Sequence, residues 1–155
     1  MADAKRLAGG GGGLLMPKWL ALMLRVCLAL GWTALLCLLL LQPGADPLLD
    51  LGIPEGEQTL WRELAFGAVH LTAFAFTCSL WSWALVARFS PQSSVLAAAM
   101  ISLALGCLTE LAQAYTPDRH ASWLDIGANI AGSLMAARVL WRTSLGRDEA
   151  ISRPR

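Results

Sequence analysis

Five side chains fall inside or at the edge of strongly apolar stretches, where hydrocarbon would not tolerate them alone: His70, Glu110, Gln113, Asp125 and Asn129. A charged group at such a depth costs about 3 kcal/mol even on lenient insertion scales, so these residues must face polar partners. Two carboxylates and an imidazole brought together could do acid–base work, or could orient the hydroxyls and amides of a polar head group. Arg119, with His120 beside it and Ser122 shortly after, adds a forked donor suited to a phosphate or carboxylate. The same set has a plainer use as an interhelical network. In that reading Glu110, Arg119 and Asp125 form ion pairs, while Gln113 and Asn129 satisfy the remaining donors and acceptors. No nucleophile motif or phosphate loop accompanies the cluster, so no catalytic residue is assigned and an enzyme is the less favoured reading. His70 and two carboxylates lack a metal-site spacing such as HExxH, and the four cysteines lie in apolar runs without CxxC pairs; no metal and no cofactor are expected.

Helical spacing says how these residues can meet. Asp125, Asn129, Gly132 and Ala136 recur at intervals of four, three and four, which puts them on one helix face, polar at one end and small at the other. Gly106, Glu110 and Gln113 share a face in the preceding segment, and Glu63, Gly67, His70 and Phe74 in the one before that. Small residues let helices approach closely in lipid, so Gly67, Gly106, Gly132 and Ala136 are expected at helix contacts.

The elements that carry these faces are apolar and long. The chain has 155 residues, 56% hydrophobic and 15% charged, with a mean hydropathy of +0.55, which is more apolar surface than a soluble domain of this size can bury. A membrane span needs about 20 apolar residues. Four fit, at about 19–41, 64–87, 95–115 and 123–141, giving an all-α integral membrane four-helix bundle over 18–142. Breakers at Pro43-Gly44, Ser90-Pro91 and Thr116-Pro117 separate them, and the short last connection makes spans three and four a tight helical hairpin. The glycine run Gly9–Gly13 implies a disordered leader over 1–17, with Met16 an alternative start, and 143–155 reads as a polar, basic tail.

Ten of the twelve basic residues, all but Arg62 and Arg119, fall on one side of this arrangement, which places both termini in the cytoplasm. The first outer loop carries Asp46, Asp50, Glu55 and Glu57, and Trp19, Trp61, Trp123 and Trp141 stand at span ends, where indoles favour the headgroup layer. On that topology the polar cluster lies just beneath the outer surface. The formal net charge is only +1, with charges spread along the chain and no basic patch, so a nucleic-acid partner is not expected. The inner halves of the last two spans hold few polar groups beyond Ser102, Ser133 and Arg138, which leaves no continuous path for a transporter.

From Glu110 the chain reads Glu110-x2-Gln113-x5-Arg119-x2-Ser122-x2-Asp125-x3-Asn129-x2-Gly132, which resembles the signature of VanZ-like membrane proteins, and His70 is similar to that family's histidine. The likeness covers spans two to four. It departs from the family at Phe66-Gly67, where members often carry Asp-Lys. That family is named for an accessory protein of resistance to teicoplanin, a glycopeptide antibiotic that acts on the bacterial cell envelope. The resemblance implies a multi-pass protein of the bacterial inner membrane with an envelope-associated role. Its expected partners are membrane lipids and a lipid-linked envelope precursor or amphiphilic antibiotic, bound through His70, Glu110, Gln113, Arg119, His120, Ser122, Asp125 and Asn129.

Overall fold

The computed structural model describes residues 17–42, 60–116 and 122–152. The leader, the acidic first loop, and Arg119 and His120 lie outside the described residues. The described residues form four helices: α1 (Lys18–Leu40), α2 (Leu60–Leu85), α3 (Pro91–Gln113) and α4 (Trp123–Ser152). Two boundaries differ from the sequence expectation for local reasons. Ser90 and Pro91, expected as a turn, start α3: the Ser90 hydroxyl accepts the Ser93 N–H at 3.2 Å and Pro91 occupies the first helical turn, where its missing N–H costs nothing. At the other end, α4 continues past Trp141 through the segment expected to be a tail. No proline interrupts it before Pro154, and the Thr143 and Ser144 hydroxyls turn back onto the Leu140 and Trp141 carbonyls.

Helices α1, α2 from Glu63, and α3 are each long and apolar enough to cross a membrane. Helix α4 has the length, about 45 Å at 1.5 Å per residue, but Asp125, Asn129 and Arg138 dilute its hydropathy and it does not join that group. The distribution of side chains is inverted relative to a soluble bundle. Among the described residues, eleven polar or charged side chains are buried against eight apolar ones, while leucines, tryptophans and methionines from all four helices face outward. Only an apolar surrounding makes such an exterior stable, and the chain is accordingly a multi-pass membrane protein.

The bundle is built on α2, which packs most extensively on α4 and also on α3. Gly132 makes the α2–α4 contact possible: a Cβ there would collide with the Leu71 carbonyl oxygen and lie 2.9 Å from its carbon. Gly106 is nearly as tight, its would-be Cβ 3.1 Å from Asn129 Cβ and 3.3 Å from Phe74 Cε1. Ala136 packs with Ala137 and Trp81 on the small core of Cys78, Ala98 and Ala99. Gly67, expected at a helix contact, has open space where its Cβ would be.

Helix α1 sits to one side, mainly against α2. Two indole–hydroxyl bonds hold it there, Trp32 Nε1 donating to Thr77 Oγ1 (2.9 Å) and Trp81 Nε1 to Thr33 Oγ1 (3.1 Å). Farther along, Arg25 stacks over the Trp83 ring and donates to the Trp83 carbonyl. Ala29 and Leu36 are the buried residues of α1, while Leu20, Leu24, Leu28, Leu30, Leu35 and Leu38 face outward.

Candidate functional site

Three helices deliver one polar cluster. His70 comes from α2, Glu110 from α3, and Asn129 and Asp125 from α4; His70, Glu110 and Asn129 are 5%, 3% and 2% exposed, so protein and not lipid covers them. Asn129 is the hub. Its Nδ2 donates to Glu110 Oε1 at 3.3 Å, and its Oδ1 faces His70 Nδ1 at 2.9 Å. A carboxylate only accepts, which fixes the amide with its NH2 toward Glu110 and its oxygen toward His70; the imidazole proton must then be on Nδ1. His70 Nδ1 is also 3.8 Å from Glu110 Oε1. Phe74, one turn along α2, lies nearly parallel to the imidazole at a centroid distance of 6.4 Å.

The other carboxylate oxygen is different. Glu110 Oε2 is buried and, among the described residues, has no hydrogen-bond partner. Asp125, half-buried at the start of α4, brings a second carboxylate, and one ligand atom each from His70, Glu110 and Asp125 all lie within 4.8 Å of one another. The backbone N–H of Ser122 faces the same carboxylate. Two acidic groups, an imidazole and the Asn129 amide therefore converge at a carboxylate with one oxygen that no hydrogen bond among the described residues satisfies.

Other residues expected here serve elsewhere or stand at the margin. Gln113 is buried but turns to α1, its Nε2 donating to the Leu40 carbonyl at 2.9 Å. That bond satisfies a carbonyl at the end of a helix, where no intrahelical donor is available. The Ser122 hydroxyl accepts the Leu124 N–H at 3.2 Å at the entry to α4, a structural role in the first turn.

One further layer extends the cluster into the bundle. Ser102 and Ser133 share a 2.8 Å hydrogen bond, Ser102 Oγ lies 3.0 Å from the Phe74 carbonyl, and Ser133 Oγ donates to the Asn129 carbonyl at 2.8 Å. Sequence inspection treats these serines as residual polarity. Their signal is the continuation of the same faces, Ser102–Gly106–Glu110 and Asn129–Ser133, at intervals of four. Beside them, Leu103, Gly106, Cys107, Ile126, Asn129 and Ile130 line a shallow groove between α3 and α4.

No protein-family model, curated protein or solved structure matches this chain.

Proposed function

We propose that the chain is a four-span inner-membrane protein of VanZ-like type, with both termini cytoplasmic, that binds the polar head of a lipid-linked or amphiphilic envelope molecule entering from the outer leaflet. The observation that carries this reading is the buried Glu110 Oε2, which has no hydrogen-bond partner among the described residues, beside the half-buried Asp125. A network built only for stability gains nothing from an orphaned carboxylate oxygen, whose burial costs about 1–3 kcal/mol or more; a site awaiting a ligand does. Asp125 gives the cluster an edge that a hydroxyl or amide of the ligand can reach, and Arg119 is proposed to receive its phosphate or carboxylate. Family likeness extends this to envelope defence, including tolerance of glycopeptide antibiotics such as teicoplanin.

A second reading is favoured by a different observation. The His70–Asn129–Glu110 chain and the Ser102–Ser133 pair join three helices with consistent donor–acceptor geometry, as a purely structural polar spine would. An interfacial enzyme acting on a lipid phosphate or ester, with Glu110 or Asp125 as base and His70 as acid or nucleophile, is the weaker alternative, because the sequence carries no nucleophile motif or phosphate loop.

Complementation separates the readings. A deletion strain carrying wild type, Glu110→Gln, Arg119→Ala or Asp125→Asn is scored for teicoplanin and detergent susceptibility alongside protein abundance. Loss of protection at normal abundance supports a ligand site, whereas full protection by every variant reduces the cluster to scaffolding. Product formation from labelled lipid precursor in wild-type membranes, absent in Glu110→Gln, would move the assignment to an enzyme.

A further inference from the structure

We infer that His70, Glu110 and Asp125 form a binding site for one divalent transition-metal ion between α2, α3 and α4. Each offers one ligand atom and the three atoms lie within 4.8 Å of one another. Closed coordination at about 2.1 Å per bond brings ligand atoms to about 3.0–3.4 Å of each other, so the three ligand atoms stand somewhat wider apart than in a closed site and must draw together by up to about 2 Å on binding. One imidazole and two carboxylates are a donor mixture suited to Zn2+ or Mn2+.

The second, independent observation is the state of Glu110. Glu110 is 3% exposed and its Oε2 has no hydrogen-bond partner among the described residues, so a buried lone-pair donor is left over on a carboxylate that already contacts the cluster through Oε1. A cation satisfies that atom and offsets both acidic charges in one step. Asn129 completes the geometry. Its Oδ1 stands 2.9 Å from His70 Nδ1, close to the separation of adjacent donors on a six-coordinate ion. With the imidazole proton moved to Nε2, Nδ1 and Asn129 Oδ1 both present lone pairs to the ion, and the hydrogen bond between them gives way to two metal bonds. The half-buried side of Asp125 leaves remaining positions for water or for an oxygen of a bound molecule.

Sequence spacing gave no sign of this centre because the three ligands belong to three helices and are separated by forty and fifteen residues. The inference does not depend on the envelope-lipid reading, since the ion is held by protein atoms alone. Where both hold, the ion removes the repulsion that two carboxylates would exert on an approaching phosphate.

The test uses the full chain purified in detergent, with Cys27, Cys37 and Cys107 replaced by Ser so that exposed or half-exposed thiols do not compete. Equilibrium dialysis against Zn2+ followed by metal analysis is expected to give one ion per chain. His70→Ala, Glu110→Gln and Asp125→Asn are each expected to weaken binding by at least about 10-fold. Circular dichroism and gel filtration confirm that each variant is folded; Asp125→Asn, isosteric and at a helix start, keeps the test alive if His70→Ala is not. Co2+ substitution is expected to give d–d absorption without a thiolate charge-transfer band. No binding by the folded chain at millimolar Zn2+, or binding that all three variants retain, would overturn the site. Dialysis with a phospholipid in place of metal, scored separately, distinguishes failure of the metal site from failure of the lipid reading.

Discussion

Glu110 is the residue at which stability and function are expected to part. Replacing it with Gln keeps Oε1 as the acceptor for Asn129 and removes a buried carboxylate whose second oxygen has no hydrogen-bond partner among the described residues. In the metal-free protein this is expected to leave the melting temperature in detergent unchanged or raise it, while abolishing complementation; a clear fall in melting temperature would show that the carboxylate is structurally satisfied. His70→Ala acts in the opposite direction. It strips Asn129 Oδ1 of its donor, an interhelical bond of the kind worth about 0.6–1.7 kcal/mol in membrane bundles. Steric trapping or detergent unfolding of that variant should register a loss within this range.

At the scale of elements, the α2–α4 seam is set by backbone proximity. Gly132→Ala forces a methyl group onto the Leu71 carbonyl, an atom that cannot rotate away, so α4 must retreat from α2. The expected cost is about 2 kcal/mol or more, with simultaneous loss of cluster function because Asn129 and Asp125 ride on the same helix. Gly127→Ala, on the same helix with open space at its Cβ, is the matched control and should be neutral or stabilising by up to about 1 kcal/mol. Equal destabilisation by both would mean that α4 does not pack as described. The α1–α2 contact depends instead on hydroxyl–indole pairs, so Trp32→Phe with Thr77→Val should show coupling of about 0.6 kcal/mol in a double-mutant cycle.

For the molecule as a whole, the proposed topology makes α4 a span that depends on its neighbours. Asp125, Asn129 and Arg138 penalise its insertion alone, whereas α1, α2 and α3 are apolar enough to enter unaided. Tested singly in a host protein, α1–α3 should insert efficiently and α4 poorly. In the intact chain, a cysteine placed at Gly146 should resist an impermeant thiol reagent applied from outside, while one at Gly52 in the first loop should react. Labelling at Gly146 from outside would invert or break the proposed four-span arrangement.

Much of this protein can be read from residue order alone, because spans and faces are local properties. Apolar length identifies α1, α2 and α3, and the four-three-four rhythm of Asp125, Asn129, Gly132 and Ala136 already brings polar and small residues onto one side of α4. Periodicity also marks His70, Glu110 and Asn129 as inward-facing. It carries no information on which partner each one finds, since that depends on rotation and approach of whole helices. Only the packing of α2 on α4 across Gly132 sets Asn129 between His70 and Glu110, sends Gln113 to the Leu40 carbonyl, pairs Ser102 with Ser133, and leaves Gly67 facing open space. A hydrogen bond is decided within tenths of an ångström, a distance that helical spacing along one chain segment does not control and that the fit between segments does.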